Sequence, residues 1–150
     1  MREIVLLIIS LTLINCSLGN RLEQQIAAHN MQKICIAERK YVNANNGKYG
    51  SISDLVSANL LSSEMTKKEI KGYRYELTIT ETGYVARAIP VNFGTDDSLA
   101  YHTFYVDEKN NYIFFRHLGY SSNGYAEKTM AGPNDSPYFG DDGKPLICEE

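Results

Sequence analysis

The fold class is decided by the segment Tyr73-Arg74-Tyr75-Glu76-Leu77-Thr78-Ile79, which is followed by Glu81-Thr82-Gly83 and a return segment, residues 84–89. In the first segment, large apolar side chains alternate with polar ones, which is typical of a strand with one buried face. The short polar connection predicts a hairpin that pairs the two segments in antiparallel fashion. Pro90 cannot donate a ladder hydrogen bond, so we expect it near the strand's end or at a sheet edge.

A second hairpin is predicted further along the chain. Residues 101–106 and 112–116 are rich in aromatic and β-branched side chains, and the polar residues 107–111 connect them. Together the two hairpins predict a four-stranded antiparallel sheet.

The residues before the sheet predict two helices. Asn20 and Glu23 fit a capping box, and the helix should end near Asn45, where an Asn-Asn-Gly sequence tolerates left-handed backbone. Apolar residues recur at helical spacing between these ends: Leu22, Ile26, Ile34, Ala37, Tyr41 and Ala44. A short second helix should open at Ser51 or Ser53, with Leu55 and either Leu60 or Leu61 as its core anchors. The fold class is therefore α+β, a long amphipathic helix on a four-stranded antiparallel sheet, with a turn-rich tail from residue 121 onward.

The length and net charge of the chain limit the classes of function that it can have. The 150 residues suit one domain, and 18 acidic against 15 basic side chains give a formal net charge of -3. Because the basic residues are scattered, a nucleic-acid-binding role is excluded. No small-molecule substrate is indicated either.

The N-terminus predicts export. Residues 4–14 form an apolar segment of about eleven residues, which is too short to span a bilayer and fits a secretory signal. Leu13-Ile14-Asn15-Cys16 resembles a bacterial lipoprotein box, which implies lipidation of Cys16. Ser17-Leu18-Gly19 offers the alternative, cleavage by ordinary signal peptidase. We therefore predict a signal over residues 1–19 and a single domain over residues 20–150, placed in the cell envelope as a periplasmic or outer-membrane lipoprotein, or secreted.

The cysteines agree with export. Once Cys16 is lipidated or removed, Cys35 and Cys148 remain, an even number that suits an oxidising compartment. We expect a disulfide that joins the C-terminal tail to the first helix, although two independent free thiols stay an alternative.

Several short segments together resemble the globular part of type IV pilin-like and pseudopilin-like proteins, and they cover roughly residues 26–115. The segments are Ala37-Glu38-Arg39-Lys40-Tyr41, Asn46-Gly47-Lys48-Tyr49-Gly50, Ser53-Asp54-Leu55, Gly72-Tyr73-Arg74-Tyr75-Glu76-Leu77, Gly83-Tyr84, Ala88-Ile89-Pro90-Val91 and Phe104-Tyr105-Val106-Asp107. The resemblance implies a non-enzymatic role in an envelope-spanning filament or secretion machine. Pilins keep a long hydrophobic helix that starts at a Phe-Thr-Leu-Ile-Glu motif, and this sequence lacks that motif. The comparison therefore favours an anchored or free adaptor over a filament subunit.

Three further groups of residues are candidate sites. Hard oxygen ligands for calcium could come from Asn134, Asp135, Asp141 and Asp142, and some pseudopilins bind calcium in a C-terminal loop. A partner surface could use the loop aromatics Tyr120, Tyr125 and Tyr138. A hydrolase could use His102 or His117 as a base, but no Ser or Cys stands in a nucleophile motif.

The sequence thus predicts a non-enzymatic envelope protein linked to a type IV pilus or type II secretion system. Its partners would be other envelope proteins, and it would contact the membrane only through a lipid anchor. The main alternative is an exported binding module unrelated to pili and stabilised by calcium; no other cofactor is expected. An exported hydrolase comes third.

Overall fold

The computed structural model describes residues 2–91, 102–117 and 130–149, and for residues 2–20 and residue 117 it describes the backbone alone. The chain forms a helix α1 (Arg2–Ala44), a short helix α2 (Ile52–Ser57) and a 3-10 helix (Ser63–Thr66) before the sheet. The strands are β1 (Tyr73–Ile79), β2 (Tyr84–Pro90), β3 (His102–Asp107), β4 (Phe114–His117) and β5 (Ser136–Pro137). This is an α+β architecture.

The strands form one antiparallel sheet in the order β1-β2-β3-β4-β5. Its first four strands were predicted, whereas β5 was not; apart from β5 and isolated bridges, residues 130–149 are rich in turns, as expected of the tail. Two residues, one of them Pro137, are too few to produce a readable alternation. The tail also adds isolated bridges between Tyr112 and Ile147 and between Phe139 and Pro145.

In β1 the apolar side chains lie on the face of the sheet that was predicted to be buried, and their burial decreases along the strand. Tyr73 is buried, Tyr75 and Leu77 are half-buried, and Ile79 is 40% exposed at the hairpin end. On β2 the core face carries Tyr84, Ala86 and Ala88, and the two small alanines leave room for α1, which packs on β2 and β3. Pro90 ends β2 opposite Tyr73, as its missing donor predicts.

Helix α1 ends at Ala44, close to the predicted exit near Asn45, but it begins earlier than predicted. It continues without a break from Arg2 through Asn20, so Asn20 is not its N-cap; a capping box acts only at a free helix end, and the preceding residues are themselves helical. Leu22 is 57% exposed and Ala44 is exposed, so neither belongs to the core. The inner face repeats at helical spacing and consists of Gln24, Ala27, Ala28, Met31, Ile34, Cys35 and Glu38.

The connection after α1 follows the sequence closely. Asn46 and Gly47 take left-handed φ values of 54° and 80°. Ser51, not Ser53, caps α2, and it forms a capping box with Asp54. Leu55 and Leu61 are the buried anchors, whereas Leu60 is half-buried.

Candidate functional sites

A C-terminal segment, residues 138–149, lies between α1 and the β3–β4 connection, and we call it the tail strap. On the sheet side, the Ile113 N–H donates to Leu146 O at 3.0 Å and the Cys148 N–H donates to Asn111 O at 2.8 Å. On the helix side, Gln32 Nε2 donates to Ile147 O at 2.9 Å. The tail strap therefore connects the long helix to the far part of the sheet.

A disulfide between Cys35 and Cys148 fixes the tail strap to α1, with the two Cα atoms 5.6 Å apart. The predicted pairing of these cysteines is present, and both residues are buried. Closing a chain loop of 113 residues restricts the unfolded state more than the folded state. Such a bond is compatible with an exported protein, because disulfides form and persist in oxidising compartments.

Cys16 lies in the first half of α1, where the structure describes the backbone alone. The prediction that it carries lipid therefore stays a prediction.

The three acidic residues of the calcium hypothesis all accept hydrogen bonds from other groups of the protein. Asp135 Oδ1 accepts hydrogen bonds from Arg116 Nε and Nη2 at 3.0 and 2.9 Å, and its Oδ2 accepts the Gly132 N–H. Asp141 Oδ1 accepts from Gln25 Nε2 at 2.6 Å, and Asp142 Oδ1 accepts the Lys144 N–H. Asn134 is an exposed turn residue. Within residues 2–91, 102–117 and 130–149, no three His, Cys, Asp or Glu side chains are grouped as metal ligands would be.

Of the three candidate partner-binding tyrosines, Tyr120 and Tyr125 lie outside the described residues. The Tyr138 ring is half-buried and makes edge contacts with Phe104 and Phe115 at centroid distances of 5.2 and 5.6 Å. Burial, and then the neighbouring Asp141, raise the pKa of Tyr138. Its ring thus packs inside the fold.

The more exposed aromatics of the described residues were not singled out from the sequence: Phe139 is 55% exposed and Tyr112 is 42% exposed. Both belong to isolated bridges that no strand periodicity indicates.

The two histidines considered as bases belong to paired strands. His102 on β3 is the register partner of His117 on β4. The His102 ring packs edge-on against Phe115 at 4.9 Å, and its Nδ1 lies 2.5 Å from Gln24 Oε1. The side chain of His117 lies outside the described residues.

Glu38 is the functional candidate that the sequence reasoning missed. It lies on the inner face of α1 and is fully buried, and its Oε2 accepts the Gly50 N–H at 3.1 Å. Burial raises the pKa of Glu38 to about 7, opposed by the Gly50 hydrogen bond and assisted by the nearby charge of Asp54. Its burial could have been predicted from its position, because Glu38 lies one helical turn after Ile34 and Cys35 on the face of α1 that packs on the core.

The chain matches no protein-family model, no curated protein and no solved structure. Among the helices that the structure describes, none is at once long enough and apolar enough to cross a membrane.

Proposed function

We propose that this chain is a non-enzymatic, exported pilin-like protein that acts as a structural or interaction component of the bacterial cell envelope, linked to a type IV pilus or type II secretion system. It is anchored by a lipid on Cys16 or released after cleavage behind Gly19. Its partners are other envelope proteins.

The observation that carries the export part is the buried disulfide between Cys35 and Cys148. Such a bond persists in the periplasm or outside the cell and is rare in a reducing cytosol. The apolar segment of residues 4–14 supports the same address, because its length and position suit a secretory signal.

The pilin-like part is supported by the arrangement of elements. A long helix packs along its inner face on an antiparallel meander, and the segments that resemble pilin-like proteins lie on α1, its exit, β1, β2 and β3. A head of this kind offers its outer surface to partners, which suits an adaptor.

The first test is an intact mass of the full chain expressed in a bacterium, measured with and without reductant. We expect a chain that starts at Cys16 and carries two or three acyl chains, or a chain that starts at Asn20; either product gains the mass of two hydrogen atoms when a reductant converts the disulfide into two thiols. A chain that retains Met1 to Gly19 would contradict export.

Two variants separate the products. Cys16→Ser removes the acyl mass if the chain is a lipoprotein and leaves processing unchanged if cleavage follows Gly19. Gly19→Leu blocks processing if cleavage follows Gly19, because signal peptidase requires a small residue there. It leaves the acylated product unchanged if the chain is a lipoprotein cleaved before Cys16.

The link to a filament or secretion machine is tested by crosslinking in cells that carry pilus and type II secretion components. Recovery of those components with this chain, but not with an unrelated domain on the same signal, is the expected result. A correctly exported chain that recovers none of them would overturn this link and leave export standing.

A further inference from the structure

A buried carboxyl group joins α1 to the connection that follows it. Glu38 is fully buried, and its Oε1 has no hydrogen-bond partner among the described residues. The other oxygen, Oε2, accepts the Gly50 N–H. A buried carboxylate with one unpartnered oxygen is costly, and the cost falls when the group is neutral.

The groups that face Glu38 do not offset a negative charge there. Asp54 on α2 is an acid and disfavours ionisation of Glu38. On β2, the pKa of Tyr84 is raised by burial and then by Glu38 itself, while Arg39 lowers it and Asp107 and Tyr49 raise it. Tyr49 packs on Tyr84 with ring centroids 5.6 Å apart. Arg39 is exposed, and its Nη2 donates to Asn111 Oδ1.

Gly50 is held closely against α1. A Cβ atom at Gly50 would lie 2.9 Å from the Tyr41 ring, so the backbone passes directly beneath that ring. Its N–H can reach Glu38 only while residues 45–50 stay in this position. The carboxyl group and the connection are therefore coupled. The hydrogen bond by itself favours the ionised form, but burial, which is the larger effect, favours the neutral form.

We propose that Glu38 is a proton-linked latch, which holds residues 45–55 on α1 while its carboxyl group is neutral and releases them when it ionises. The latch does not depend on the proposed function, because it is a property of the folded domain in whichever compartment the protein lies. The pKa of about 7 places the change of charge near neutral pH.

The direction of the pH dependence follows from linkage. The closed state has a pKa of about 7 and the open state has the ordinary value of 4.5, so the closed state binds more protons. Closure is favoured fully below pH 4.5 and weakens as the pH rises toward 7. Each pH unit in that window raises the opening constant up to about tenfold, so the whole change is on the order of a hundredfold.

The experiment is hydrogen–deuterium exchange of the full chain at pH 5 and pH 8, corrected for the intrinsic pH dependence of exchange. Opening of the Gly50 and Leu55 amides should rise on the order of a hundredfold in the wild type. In Glu38→Gln, which imitates the neutral acid, the rise should be absent. Glu23→Gln makes the same chemical change on the same helix at a half-buried position and should behave as the wild type does.

Two results would overturn the latch. One is a rise of equal size in Glu38→Gln, and the other is a rise shared by the β1–β2 amides, which would make it a property of global unfolding. If Glu38→Gln does not fold, a carbon-13 NMR titration of the wild-type Glu38 carboxyl group decides: titration near 4.5 contradicts the latch, and titration near 7 supports it.

Discussion

Asp135 shows how a carboxylate that looks like a metal ligand in the sequence is used inside the fold. Its two oxygens bind Arg116 on β4 and the Gly132 N–H, so it holds the segment before β5 against the sheet. The Asp135 side chain is only 16% exposed, which makes its ion pair with Arg116 more protected than a surface pair.

Asp135→Asn should therefore lower the free energy of unfolding by about 1 to 2 kcal/mol, because the charge-assisted hydrogen bonds to Arg116 are weakened. Urea denaturation in EGTA and in calcium measures the loss, which we expect to be equal in both. Asp142→Asn is the control; this residue is exposed, and its Oδ1 accepts the Lys144 N–H, so its effect should stay within about 0.5 kcal/mol. A loss confined to calcium-containing buffer would instead favour a calcium-stabilised module.

At the scale of elements, α2 depends on its N-terminus because it has only six residues. Ser51 Oγ accepts the Asp54 N–H at 3.2 Å, and Asp54 Oδ2 accepts the Ser51 N–H at 2.8 Å. The Ser51 hydroxyl also donates to Asp54 Oδ2 at 2.6 Å, and this bond, followed by the bond from the Ser51 N–H, lowers the pKa of Asp54. The cap orients the helix so that Leu55 enters the core.

Ser51→Ala should destabilise the protein by about 1 kcal/mol, the usual cost of losing an N-cap hydroxyl. Ser53→Ala, two residues later, is a matched control, because Ser53 is exposed and its backbone oxygen, which the substitution keeps, accepts the Ser57 hydroxyl. Thermal unfolding followed by circular dichroism compares the two variants. Equal losses would mean that the capping box contributes nothing.

The elements with clear periodicity were predictable from sequence, and those held by distant contacts were not. The alternation of β1 and the Asn46-Gly47 helix exit are local patterns, and the structure has both. By contrast, β5 exists because Phe114 and Phe115 pair with it across a long connection. A strand that is defined by pairing with distant residues has no pattern in its own local sequence from which it could be predicted.

The candidate site was predictable only in part for a related reason. Counting cysteines indicated the bond of Cys35 with Cys148, since few pairings were available. Glu38 was missed because charged residues on an amphipathic helix are expected to face water. For Leu22 the error was the opposite one. Its place in the apolar pattern of α1 predicted burial, but its side chain is 57% exposed and lies beyond the core.

For the molecule as a whole, the disulfide should dominate stability. Cys35→Ala with Cys148→Ala should lower the free energy of unfolding by about 2 to 5 kcal/mol, because the unfolded chain is no longer closed into a loop. Urea denaturation of the double variant, with and without reductant, measures this. In reductant, the free energy of unfolding of the wild type should approach that of the double variant. Cys16→Ser, which leaves the disulfide intact, should have the same free energy of unfolding as the wild type. A wild type indifferent to reductant after complete reduction would contradict this expectation.

The same bond also sets how the molecule responds to pulling. A force applied between the N-terminal segment and the C-terminus passes from α1 to Cys148 through a covalent link and bypasses the sheet. The chain between the two cysteines, which are separated by 113 positions and about 400 Å of contour length, is therefore shielded from extension. Under such a force the load falls on α1 before Cys35, while the sheet between the two cysteines is not extended.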